Sequence, residues 1–97
     1  MRVLVAISLA LLLVVACDRR QEVTVVNETP GRVSVYRDGS LVTTLRAHER
    51  QSGHTDEFGG THLIEARAAN GIVLMSEELS WDDLRAREWT IVIRPAR

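Results

Sequence analysis

Three histidines, His48, His54 and His62, fall within one fifteen-residue stretch beside Asp56 and Glu57. Imidazole and carboxylate groups are ligands for Zn²⁺ or Cu²⁺. On a strand of period two, His54 and Asp56 share a face, and His62 comes within reach across the turn that follows. The spacing matches no established ligand pattern, for there is no His-Glu-x-x-His helix and no cysteine pair. Metal binding through the three histidines is therefore an alternative reading, and no cofactor is expected.

The other reactive groups argue against an enzyme. Glu77, Glu78, Asp82, Asp83 and Glu88 are dense enough for Ca²⁺ but lack the alternating ligands and central glycine of an EF-hand loop. Asp56 and Glu57 are adjacent, so on a strand they point to opposite faces and cannot converge on one bond. No serine stands in a Gly-x-Ser-x-Gly elbow. All 12 basic residues are arginine, which excludes a Schiff-base or P-loop lysine. With 13 acids the net charge is −1, which gives no electrostatic footprint for nucleic acid. A chain this small also promises little concave volume for a substrate.

Two further groups suggest binding. Tyr36 alternates out of phase with Val33 and Val35, and with Arg37 and Arg46 it forms a candidate partner patch. Trp81 and Trp89 are expected to plug the core. Asn27-Glu28-Thr29 satisfies the pattern for N-glycosylation, a match expected to be coincidental.

Cys17 is the only cysteine of 97 residues. It closes a run, Val3–Ala16, in which Ser8 is the sole polar residue, and Arg2 precedes that run. A fourteen-residue helix reaches about 21 Å, short of a bilayer core of roughly 30 Å, so the segment reads as a signal peptide. Its end, Val14-Val15-Ala16-Cys17, resembles the lipobox of bacterial lipoproteins, with Val14 standing where leucine is commoner. The resemblance covers the first seventeen residues. It implies that the Cys17 thiol is acylated and becomes the new N-terminus, and that the membrane is the partner at that end. Asp18, in the position after the cysteine, implies retention at the inner membrane in enterobacterial lipoproteins. The expected location is thus the bacterial envelope, at the inner membrane facing the periplasm or at the outer cell surface, in the company of an unidentified envelope protein.

The expected organisation is a signal peptide over residues 1–16, a lipidated tether over 17–22 and one domain over 23–97. The 81 residues that remain after residues 1–16 carry eleven arginines against thirteen acids, a charge of −2. Val23 and Val25 alternate with Thr24. Thr29-Pro30-Gly31 is a turn, and Val33 and Val35 share the inner face of the next strand. Asp38-Gly39 and Asn70-Gly71 both suit type I′ hairpin turns. The stretch from Arg50 to Thr55 reads as a polar edge strand. Ser80 caps one or two helical turns on which Trp81 and Leu84 face inward, with acids first and arginines last. Trp89, Ile91 and Ile93 form the final strand.

The pattern predicts an all-β fold, a small antiparallel sandwich or partly open barrel of about seven short strands with one helical turn, after a signal-peptide helix. The stretch Val23–Leu79, with Gly60-Thr61-His62 and Asn70-Gly71, weakly resembles small envelope sandwich modules of PEGA type. That resemblance implies a non-enzymatic binding or spacer role.

Overall fold

A computed structural model describes residues 20–96. Residues 1–16, expected to be a signal peptide, and Cys17 and Asp18 lie outside the described residues. The fold is all-β, with seven strands in two sheets and one short helix. The strands are β1 (Arg20–Asn27), β2 (Val33–Arg37), β3 (Ser40–Leu45), β4 (Arg50–Asp56), β5 (Thr61–Ala68), β6 (Val73–Ser80) and β7 (Thr90–Ile93), with α1 (Trp81–Ala86) between the last two. One sheet has the order β4-β1-β7 and the other β3-β2-β5-β6. They face each other as an open sandwich and do not close into a barrel. Among the described residues no helix is long and apolar enough to cross a membrane.

Alternation puts the branched residues inside. Val33, Val35, Leu45, Ala66 and Ile93 form one buried cluster, and Leu79, Leu84 and Ile91 a second nearer α1. Val25, Ile64 and Met75 pack against both. Strand β1 begins at Arg20, three residues before the Val23 read from the alternation, and Arg20 already pairs with Asp56. The expected tether over 17–22 therefore loses Arg20, Gln21 and Glu22 to the sheet, because backbone pairing does not require apolar side chains. All hairpin neighbours are antiparallel, but β1 and β7 run parallel. That pair is non-local, and α1 is the crossover that carries the chain from β6 to β7.

The turns follow their chemistry with one correction. Asp38 (φ 51°) and Gly39 (φ 85°) both have positive φ, as a type I′ turn requires. In Asn70-Gly71 only Gly71 does (φ 88°). Gly71 N–H donates to Ala68 O at 2.9 Å, and Ala68 N–H to Ile72 O at 2.8 Å. This is a type I turn followed by a left-handed glycine, the three-residue hairpin loop, not the expected I′ form. Asn70 Oδ1 holds it by accepting from Ile72 N–H at 3.1 Å.

Helix α1 starts with a capping box. Asp83 N–H donates to Ser80 Oγ at 3.1 Å, and Ser80 N–H donates to Asp83 Oδ2 at 2.8 Å. The Ser80 backbone N–H foremost, and then the Ser80 hydroxyl, hold the Asp83 carboxyl below its usual pKa. The helix ends in a Schellman arrangement in which Trp89 N–H reaches Leu84 O and Glu88 N–H reaches Arg85 O. Glu88 (φ 55°) occupies the left-handed position that usually holds glycine.

At the far end of the sandwich, Asn27 is fully buried. Its Nδ2 donates to Gly31 O and to Arg46 O, each at 2.8 Å, while Oδ1 accepts from Thr29 N–H at 3.0 Å. One amide thereby ties the end of β1 to the entry of β2 and the exit of β3. Burial of both Nδ2 protons in these bonds also leaves the Asn27-Glu28-Thr29 sequon without an accessible acceptor. Truncation to Asn27→Ala removes three hydrogen bonds, leaving Thr29 N–H and Arg46 O without this partner while Gly31 O keeps Thr29 Oγ1, each bond worth roughly 1 kcal/mol. Urea denaturation of that variant is expected to show a loss of about 3 kcal/mol relative to the parent.

Candidate functional site

The sandwich opens along one side. Strands β3 and β4 are consecutive in the chain but lie at the edges of different sheets. Between them runs a groove of about 700 Å³. Its floor is Val23, Val25, Val35, Ile64, Leu79 and Ile91, and Leu41 and Val42 of β3 stand at its mouth, 60% and 59% exposed. The expectation of little concave volume is therefore corrected.

Two local features open the groove. Gly53 of β4 lies opposite Val23, on the inner face, and a Cβ built there would meet nothing within 4 Å. A side chain is missing where the inner face of a sandwich strand would normally have one. On β3 the register shifts after Val35: Thr43 faces Val35, but Leu41 faces Tyr36, so Val42 is the extra residue of a bulge. Bulges bend the strand and re-aim side chains, and here the bulge accompanies the exposure of Leu41 and Val42 at the mouth. Farther up, Thr43 donates its hydroxyl to Gln51 Oε1 and joins the two lips.

The lower end of the groove carries the polar groups and the aromatic residues. Asp38, at the tip of the β2–β3 hairpin, reaches across to β5. Its Oδ1 accepts from Leu63 N–H at 2.8 Å, its own N–H donates to Leu63 O at 2.8 Å, and Oδ2 pairs with His62 Nδ1. The Leu63 N–H first, then His62, hold the Asp38 carboxyl below its usual pKa. From His62 a row of rings runs inward. Phe58 meets His62 edge-on at 4.4 Å between centroids, Trp81 meets Phe58 at 5.4 Å, and Trp89 lies 4.9 Å from Trp81. Arg85 lies over Trp89 at 5.9 Å. Such edge-on pairs add to the burial of the rings, so the row seals the base of the sandwich under the groove.

The sequence-derived candidates are dispersed. His48 sits in the β3–β4 turn at the far end, with φ 59°. His54 on β4, where it pairs with Glu22, and His62 on β5 border the groove from different sheets. Among the described residues no three His, Cys, Asp or Glu side chains come close enough to hold a metal ion. The three-histidine centre is thus corrected: the two sheets and the length of β4 separate its members. The acids have structural partners instead, with Glu77 on Arg87, Asp82 on Arg85 at 2.7 Å and Asp56 on Arg20 at 3.3 Å. Tyr36, Arg37 and Arg46 do not form one patch. Tyr36 faces outward under Arg67, whose guanidinium lies 4.7 Å above the ring. Arg37 lines the lower groove, and Arg46 follows β3 at the opposite end of the hairpin. The Asp38–His62 pair has the orientation of a catalytic dyad, yet among the described residues His62 makes no hydrogen bond to a Ser, Thr or Cys side chain.

The groove was missed from sequence because it depends on which edges lie side by side. Gly53 was the available signal, since glycine inside a strand marks a bulge, a bend or a close approach. Comparison with known proteins adds no assignment, for no family model, curated protein or solved structure matches this chain.

Two measurements check this geometry. Gly53→Val adds an inner-face side chain and removes the entropic cost of glycine, so it is expected to raise stability by about 1 kcal/mol in urea denaturation. Asp38 has a depressed folded-state pKa, so its contribution to stability is complete above an unfolded-state value of about 4 and is lost as pH falls through the folded-state value. The stability difference between the parent and Asp38→Asn should therefore be largest near neutrality and shrink below about pH 4.

Proposed function

We propose that this chain is a bacterial envelope lipoprotein, tethered through an acylated Cys17, whose sandwich is a non-enzymatic binding module that uses the groove between β3 and β4. The observation that carries the binding role is the groove itself: an apolar floor with exposed Leu41 and Val42 at its mouth. Contiguous exposed apolar surface of this kind marks interaction sites. The resemblance of Val14-Val15-Ala16-Cys17 to a lipobox supports the tether. Two or three acyl chains anchor firmly, since each buried methylene adds about 0.8 kcal/mol.

The start of β1 sharpens this reading. Arg20 is the third residue after Cys17, so the folded domain begins within about 10 Å of the acylated residue. The domain works against the bilayer surface, and the anchor raises its effective concentration for anything held in the same membrane. Asp18 favours the inner membrane. Mass spectrometry of protein extracted from bacterial membranes is expected to find a diacylglyceryl-modified Cys17 at the N-terminus. A mature chain with an unmodified cysteine, or one that starts elsewhere, would overturn the tether.

A further inference from the structure

The groove has a direction. Arg20 at the start of β1, Asp56 at the end of β4, the Asp38–Gly39 turn and helix α1 all lie at one end of the sandwich. Asn27, His48 and the Asn70–Gly71 turn lie at the other. The chain toward Cys17 leaves from the first end. The groove occupies the same half, for its borders include Asp38, Ser40, Thr55, Phe58 and His62, while Thr43 and Gln51 join its lips farther up.

Its chemistry is that of a slot for a hydrocarbon chain with an anionic head. The floor is branched aliphatic side chains and offers no charge. Among the described residues the one buried side-chain polar atom without a partner is Arg67 Nε, which belongs to the opposite face of sheet β3-β2-β5-β6. A saturated chain asks for no hydrogen bonds, whereas a peptide laid along β3 needs a continuous edge to pair with, and that strand is broken by the bulge at Val42. At the lower border stands Arg37, which among the described residues makes no ion pair. Two of the nearby acids have other partners, Asp38 in Leu63 N–H and His62 and Asp56 in Arg20, and the Asp38 charge acts on Arg37 as well.

We infer that the groove takes one acyl chain of an anionic phospholipid from the bilayer to which the domain is tethered, with Arg37 at the lower border meeting the phosphate. This names the ligand of the site described above and rests on the tether reading for its source. A guanidinium matches phosphate oxygens in a forked geometry. A groove of about 700 Å³ lies within the range of sites that enclose a small amphiphile. The exposed Leu41 and Val42 face the entering chain.

The test uses the full chain reconstituted in phosphatidylcholine vesicles that contain phosphatidylglycerol with a photoactivatable group in one acyl chain. After irradiation, adducts are mapped by peptide mass spectrometry. Adducts are expected on the peptides that carry Val23, Leu41 or Leu79, apart from any on residues 1–19. Arg37→Ala should lower groove labelling about fivefold, as loss of one surface cation costs about 1 kcal/mol. Gly53→Phe, checked for native circular dichroism, should remove it by filling the slot. Labelling confined to residues 1–19, or groove labelling indifferent to both substitutions, overturns the inference. Equal labelling by a photoactivatable phosphatidylcholine overturns the anionic headgroup. The tether is read separately from the mass of Cys17, so an acylated Cys17 with an unlabelled groove defeats this inference alone.

Discussion

The side-chain amide of Asn27 fixes the geometry on which the rest of the sandwich depends. It lies at the end of β1, in the sheet β4-β1-β7, and its two donated bonds go to Gly31 and Arg46, which flank β2 and β3 of the opposite sheet. Backbone bonds reinforce the same junction: Asn27 N–H donates to Glu49 O, Glu28 N–H to Ile93 O and His48 N–H to Thr29 O. A buried amide satisfied in this way specifies one arrangement of the loops around it, because any other leaves polar groups unpaired in a low-dielectric interior. The two sheets are therefore pinned together at one end by polar contacts and along the middle by Val33, Val35, Leu45, Ala66 and Ile93.

Pinning at one end leaves the other free to differ. There the sheets are held by an aromatic row, Phe58, Trp81 and Trp89, placed by the helix that follows β6. That helix lies on the β6–β7 side, so among the described residues no element covers the opposite side, between β3 and β4. With Gly53 contributing no side chain and Val42 bulged outward, the described residues leave the apolar floor open. The same half of the molecule holds the Asp38–His62 lock, which fixes the hairpin tip that borders the groove.

Local chemistry was legible in the sequence. Asp38-Gly39 declared its turn because two positive φ values demand such residues, and Ser80 ahead of the first-turn acids declared a helix start, which the structure has with Ser80 as its cap. The alternation of Val33 with Val35 placed the inner face of β2 correctly. What was not legible is non-local. No turn signal could show that β7 returns parallel to β1, or that β3 and β4 end in different sheets with their edges side by side. The candidate residues failed for the same reason: His48, His54 and His62 are near in sequence, but a strand crossing between sheets separates them, and Tyr36, Arg37 and Arg46 are divided by strand alternation and hairpin length. Asn27 itself looked like a strand end before a turn, for nothing in its neighbours marks a fully buried amide.

The central claim, that a buried and fully bonded Asn27 holds the two sheets in register while the opposite end stays open, has a direct spectroscopic measure. Hydrogen exchange of the Asn27 side-chain Nδ2 protons, followed by NMR, should show both protected to the level of the most protected backbone amides in β1 and β2, with exchange only through global unfolding. Exchange of those protons at the rate of an exposed side-chain amide, in a protein whose core amides remain protected, would contradict the account.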